Sequence, residues 1–131
     1  MTEKQLHKQI CDYIKLQYPD VLFNTDMSGI KLTIGQAMQA AKLRSSRAFP
    51  DIVIYEPNDI YYGLFLEVKR DIPFKLDGFL KKCDHLKEQI DMITILINKG
   101  YYASFVWAFD YAKEIIDAYM NNKTIPLKYK N

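Results

Sequence analysis

The sequence predicts a mixed α/β domain of the α+β kind, in which helices pack against a mixed β-sheet in the order α-β-(α)-β-β-α-β-α. Three observations carry that prediction. Apolar residues recur at helical spacing near both ends, two apolar runs flank a turn-rich link in the middle, and a long amphipathic stretch closes on a glycine before another apolar run. At 131 residues the chain has the size of one domain that can bury a core without staples. The domain is expected over residues 1–121, with a basic tail over 122–131 that is either disordered or docked on a partner.

In the first helix Leu6, Ile10, Tyr13 and Ile14 share a face, Thr2 is the expected cap and Pro19 the stop. Val21–Asn24 reads as a short strand. From Ser28 to Ser46 the signals conflict. Gly29 and Gly35 break the pattern while Gln36–Leu43 favours a helix, and mobility is expected there in the unliganded chain.

Asp51–Tyr55 and Tyr62–Lys69 read as strands joined through Glu56-Pro57-Asn58-Asp59, which suits an antiparallel hairpin. Leu86, Ile90, Ile93 and Ile97 mark the inner face of a long helix ended by Gly100. An apolar strand over Tyr101–Phe109 follows. Asp110 is the expected cap of a last helix reaching Asn121, with Ala112, Ile115, Ile116, Tyr119 and Met120 inward.

The chemistry concentrates in Phe49-Pro50-Asp51-Ile52-Val53-Ile54 and Leu64-Phe65-Leu66-Glu67-Val68-Lys69. Side chains alternate along a strand, so Glu67 and Lys69 share one face while Val68 points to the core. Charges held in such apolar surroundings need a partner, a ligand or a metal. Magnesium fits two carboxylates, because it prefers oxygen, takes few protein ligands, and keeps positions for water and phosphate. Asp51 and Glu67 would hold it, with the Val68 carbonyl as a further ligand. Lys69 would then stand near a water on the metal and near a scissile phosphate, which makes phosphodiester hydrolysis the expected reaction.

Pro50-Asp51, fifteen intervening residues and Glu67-Val68-Lys69 resemble the signature of the PD-(D/E)XK nucleases. The surroundings narrow the resemblance: an amino-terminal helix with Glu3, a helix after the lysine strand with Gln89, then Gly100-Tyr101, a strand and a helix. That order resembles the virus-type replication-repair nuclease domain, VRR-NUC, in its small stand-alone form. The resemblance implies a restriction-endonuclease-like fold, metal ligation by Asp51 and Glu67, and a catalytic Lys69. It implies an auxiliary acid in Glu3, and a Gln89 that orients the lysine, the water or the phosphate. The chain departs from the family in the turn before Pro50, where Ser45-Ser46-Arg47-Ala48-Phe49 stands in place of glycines.

The formal charge of +2 is too small to argue for nucleic acid by itself. Lys42, Arg44 and Arg47 precede Asp51, however, and Arg70 and Lys75 follow Glu67, so positive charge brackets the acids where a phosphate backbone would pass. Solvated loop charges are the bland alternative. Likewise Asp51 could cap a turn, Glu67 and Lys69 could form a surface ion pair, and Gln89 could be an exposed helix position, but their joint occurrence in order favours a site.

Cys11 and Cys83 lie in helical patterns without metal-ligand spacing and are expected to be free, buried thiols. His7 and His85 fit helix surfaces and receive no role. Tyr61, Tyr62, Tyr101 and Tyr102 are expected to pack rather than stack on bases. No stretch is long and apolar enough to cross a bilayer and the first helix is polar, so the chain is expected to be cytoplasmic, in the host cell if phage-encoded.

The family resemblance implies a magnesium-dependent endonuclease, with manganese as a substitute and no small-molecule cofactor, acting on branched DNA such as Holliday junctions or flaps in replication, recombination or repair. Paired cuts in a symmetric junction need two sites, which implies a homodimer. Two other readings stay open: a nuclease-like fold that binds DNA or protein without cutting, and a restriction-type enzyme that cuts a defined duplex sequence.

Overall fold

The expected element order is present in the computed structural model, which describes residues 1–26, 32–46 and 48–128. In chain order the elements are α1 (Glu3–Gln17), β1 (Phe23–Thr25), α2 (Ile34–Leu43), β2 (Ile52–Ile54), β3 (Leu64–Val68), α3 (Asp84–Asn98), β4 (Tyr102–Val106) and α4 (Phe109–Met120). The strands form one sheet in the order β1-β2-β3-β4. Contacts β1–β2 and β2–β3 are antiparallel, whereas β3 and β4 are parallel and joined by α3. A parallel pair needs a long crossover, and the long amphipathic stretch between the two strands supplies it.

Helices cover both faces. Ile52, Ile54, Leu64, Leu66, Val68 and Val106 of the sheet share one core with Leu6, Ile10 and Ile14 of α1 and Tyr111, Ala112, Ile115, Ile116 and Tyr119 of α4. On the opposite face Ala103 and Phe105 meet Ile93 and Leu96 of α3 together with Phe74, and Phe65 packs against them. The two faces explain the near-continuous apolar runs of β3 and β4, because both sides of these strands are buried. Thr2 closes a capping box with Gln5, accepting from Gln5 N at 3.1 Å while Gln5 Oε1 accepts from Thr2 N at 2.8 Å.

Several boundaries differ from expectation. β1 starts two residues later than Val21 because only Phe23–Thr25 register against Ile54–Ile52. The chain leaves β4 at Val106, so Ala108 rather than Asp110 is the extended N-cap of α4, without a side-chain bond. Asp110 lies in the first turn, where its charge complements the helix dipole instead. Cys83 is not a buried helical residue: it is the exposed, extended N-cap of α3, while Cys11 is buried, and both are free.

Helix α2 is longer than Gln36–Leu43 because Thr33 and Gln36 form a second capping box, yet it buries none of its residues. The expectation of mobility begins on residues 28–31, which lie outside the described residues, as do Arg47 and the tail residues 129–131. Up to Lys128 the tail returns along its own α4 rather than standing free. Lys128 Nζ lies 3.6 Å from Glu114 and 5.1 Å from the Tyr111 ring centre, and Ile125 packs on the core.

Tyr61, Tyr101 and Tyr102 are partly buried as expected, whereas Tyr62 stays exposed at the end of the sheet. Tyr61 sits edge-on to Tyr102 with ring centres 5.3 Å apart, and Tyr62 edge-on to Tyr101 at 6.0 Å. The hydroxyls of Tyr13 and Tyr18 both donate to Asp117 Oδ1, at 2.6 and 2.7 Å, and tie α1 to α4. Among the described residues no helix is long and apolar enough to cross a membrane.

Gly100 ends α3 at φ +100°, and a Cβ there would meet the Tyr62 ring at 2.6 Å. Gly100→Ala is therefore expected to cost about 1–3 kcal/mol in urea unfolding. Because Tyr62 is exposed and can swing aside, most of that cost should persist in a Tyr62→Ala background. A cost that vanishes there would assign it to the ring contact alone.

Candidate active site

The antiparallel ladder ends with Ile52 against Leu66, and one residue beyond it Asp51 stands opposite Glu67. The two acids hold each other through backbone. Asp51 N donates to Glu67 Oε2 at 3.1 Å, and Val68 N donates to Asp51 Oδ2 at 2.8 Å. On the other side Asp26 N donates to Asp51 O at 2.7 Å, so Asp26, Asp51 and Glu67 stand abreast across three strands. Pro50 and Ala48 are buried just before Asp51 and seat the entry to β2.

Glu67 is only 5% exposed and Gln89 6%. Gln89 Nε2 donates to Glu67 Oε1 from α3 and lies 3.1 Å from His85 Nε2, one helical turn earlier. Gln89 Oε1 is buried and has no hydrogen-bond partner among the described residues. Lys69 Nζ is 4.0 Å from Glu67 Oε1, with its side chain 14% exposed. Burial, followed by the neighbouring Asp51 carboxylate, pushes the Glu67 carboxyl well above the ordinary glutamate range, against the pull of Lys69.

These groups open into a cleft of about 750 Å³. Asp51, Glu67, Val68, Lys69 and Gln89 line it together, and Glu3 joins them from the exposed first turn of α1. Phe49 also lines it, in the segment that departs from the glycine-bearing turn. Of the basic residues named from sequence, Arg47 lies outside the described residues and the other four are not gathered there. Lys42 and Arg44 are exposed and absent from its lining. Arg70 lines a neighbouring groove and pairs with Asp71 at 3.1 Å, while Lys75 lies 4.0 Å from Asp77.

Six lining residues escaped the sequence reading. His7 and His85 both face the cleft, and the His85–Gln89 spacing of four residues was the available signal. Asp26 required knowledge of which strand pairs with β2. The lysines of α1, Lys4, Lys8 and Lys15, also line the cleft, and their helical spacing was readable in the sequence.

The donor set suits a hard divalent cation. Each Glu67 oxygen accepts one hydrogen bond and keeps further lone-pair capacity, and a second carboxylate stands beside it. Among the described residues no group of three or more His, Cys, Asp or Glu side chains is arranged to hold a metal ion. A pair of carboxylates is nonetheless what magnesium ordinarily takes from a protein, the remainder being water and substrate.

The raised Glu67 carboxyl has a consequence for stability without metal. The unfolded chain releases this proton near 4.5 while the folded chain keeps it, so folding loses stability as pH rises from there until the folded carboxyl ionises. In EDTA, Glu67→Gln is expected to gain on the wild type by up to about 1.4 kcal/mol per pH unit above pH ~5. Urea unfolding across pH measures this, and parallel curves for the two proteins would contradict it.

No protein-family model matches the chain, and no curated protein matches it. A solved structure described as a VRR_NUC domain protein is similar to it with a TM-score of 0.65, covering 92% of this chain and 89% of that one at 18% sequence identity. The order of elements, the mixed sheet with helices on both faces and the shared fold over nearly the whole length agree: the chain has the fold of the VRR-NUC domain.

Proposed function

We propose that this protein is a magnesium-dependent, structure-selective DNA endonuclease that hydrolyses phosphodiesters in branched DNA such as Holliday junctions or flaps. The observation that carries the reading is the gathering of Asp51, Glu67, Lys69 and Gln89 in one cleft, with each acid anchored by the other strand's backbone. A domain that only scaffolds a partner has no use for a buried glutamate that resists ionisation.

Asp51 and Glu67, with the Val68 carbonyl, would hold one magnesium ion, and manganese would substitute. Such an ion supplies Lewis acidity toward the phosphate and an acidified water as nucleophile. Gln89 and the Asp51 N–H each occupy one Glu67 oxygen, which orients the carboxylate before substrate arrives. Lys69 presents an ammonium at the cleft surface, where it stabilises the charge that grows on the phosphate oxygens. Glu3 acts as an auxiliary acid at the rim. Lys42, Arg44, Arg47, Arg70 and Lys75 would contribute outer contacts to the arms of a branched substrate. A small domain has little surface for reading bases, which favours recognition of DNA shape, and paired cuts in a junction call for a homodimer acting in the cytoplasm.

The test is cleavage of labelled four-way junction, flap, single-stranded and linear duplex DNA with magnesium or manganese. Junctions or flaps are expected to be cut, with rates at least about 10²-fold lower for Glu67→Gln and for Lys69→Ala. No cutting of any substrate by folded protein would leave a binding module, and discrete fragments from linear duplex would indicate a restriction-type enzyme.

A further inference from the structure

We propose that helix α1 carries the track for the cut strand: Lys4, Lys8 and Lys15 bind its successive backbone phosphates as it leaves the Asp51–Glu67 site. The inference rests on the nuclease reading of the cleft and adds to it where the strand runs and which residues hold it.

At about 100° per residue, Lys4, Lys8 and Lys15 fall within about 40° of arc on α1 and span about 16 Å of its axis. All three line the same cleft as Asp51, Glu67 and Lys69. The stripe is exposed and lies about 140° around α1 from the buried face of Leu6, Ile10 and Ile14, which fastens the helix to the sheet and α4, so the lysines stand on a fixed helix. Phosphates of one strand advance about 3.4 Å per nucleotide along a duplex, and the stripe therefore matches a run of about five nucleotides.

Charge is sorted along the cleft. Glu3, Asp26, Asp51 and Glu67 gather at the end marked by Lys69, which together with Glu3 also borders the neighbouring groove. That end adjoins the amino terminus of α1, so Lys4 is nearest the acids and Lys15 farthest along the helix. The facing wall is β1, where Asn24 and Thr25 are exposed polar residues of an edge strand. Lys8 is held by Asp12 at 2.6 Å, an exposed pair that a phosphate can share or replace. Among the described residues that line the cleft, a polyanion whose scissile phosphate sits among the acids and Lys69 thus meets its further lysines along α1.

The test reads binding rather than cutting. A labelled single strand and a labelled duplex are titrated with the folded Glu67→Gln protein in EDTA, and affinity is followed against salt. Adding Lys4→Gln, Lys8→Gln and Lys15→Gln is expected to weaken binding more than tenfold at low salt and to reduce the slope of log affinity against log salt by about 2. Lys15→Glu alone should reduce the slope by about 1 and serves if the triple variant fails to fold. The charge-matched triple Lys87→Gln, Lys99→Gln and Lys123→Gln, outside the cleft, should leave the slope unchanged. An unchanged slope in the α1 variants, an equal loss in both triples, or no binding of either DNA would overturn the track. Because the readout needs no catalysis, slope loss in a protein whose wild type never cuts would sink the nuclease reading alone, and cutting with an unchanged slope would sink the track alone.

Discussion

The reciprocal backbone anchoring of Asp51 and Glu67 is the constraint on which the site depends. It exists because β2 and β3 pair antiparallel in one register, Ile52 against Leu66. A slip by one residue would turn every side chain of β2 to the opposite face, moving Ile52 and Ile54 out of the core and Asp51 away from Glu67. The apolar cores on both faces therefore do more than stabilise the sheet. By penalising any other register they hold two carboxylates side by side against their mutual repulsion.

That repulsion is the cost of the arrangement. A buried carboxyl beside another acid is a liability in a protein whose net stability is a small difference of large terms. Lys69 and the Gln89 amide offset part of it, yet Gln89 Oε1 remains buried without a partner among the described residues. Unsatisfied polar atoms and resisted ionisation in one place are what a fold tolerates where a ligand completes the site. The core around it is correspondingly firm. Trp107 packs against both hydrophobic clusters, and Asp117, whose partial burial is outweighed by bonds from Tyr13, Tyr18 and Lys113, stays below the ordinary carboxyl range and clamps α1 to α4. Since α1 forms a wall of the cleft, the clamp also fixes the cleft's width.

Low identity to a solved structure of the same fold is consistent with this picture. What the fold requires is an order of elements, apolar residues on both faces of the central strands and a glycine after α3, and many sequences meet those terms. The acids and the lysine need particular atoms at particular places, and only a few positions carry that demand.

The sequence by itself determined the order of elements, the hairpin of β2 and β3, the Gly100 stop, and the sharing of one strand face by Glu67 and Lys69. Each follows from local periodicity or backbone chemistry within a few residues. Motif order further singled out Asp51 and Gln89, although their meeting is a long-range event. Strand pairing alone decided that Asp26 stands abreast of Asp51, because a three-residue edge strand carries too little pattern to announce its neighbour. The exposure of Cys83 and the capping of α4 by Ala108 depended on where helices start, which local signals place only to within a residue or two. Tertiary structure likewise chose which charges meet the site. Loop residues near Asp51 in sequence, such as Lys42 and Arg44, fall outside the cleft, while lysines from the far end of the chain line it, because packing α1 over the sheet sets its flank beside the acids.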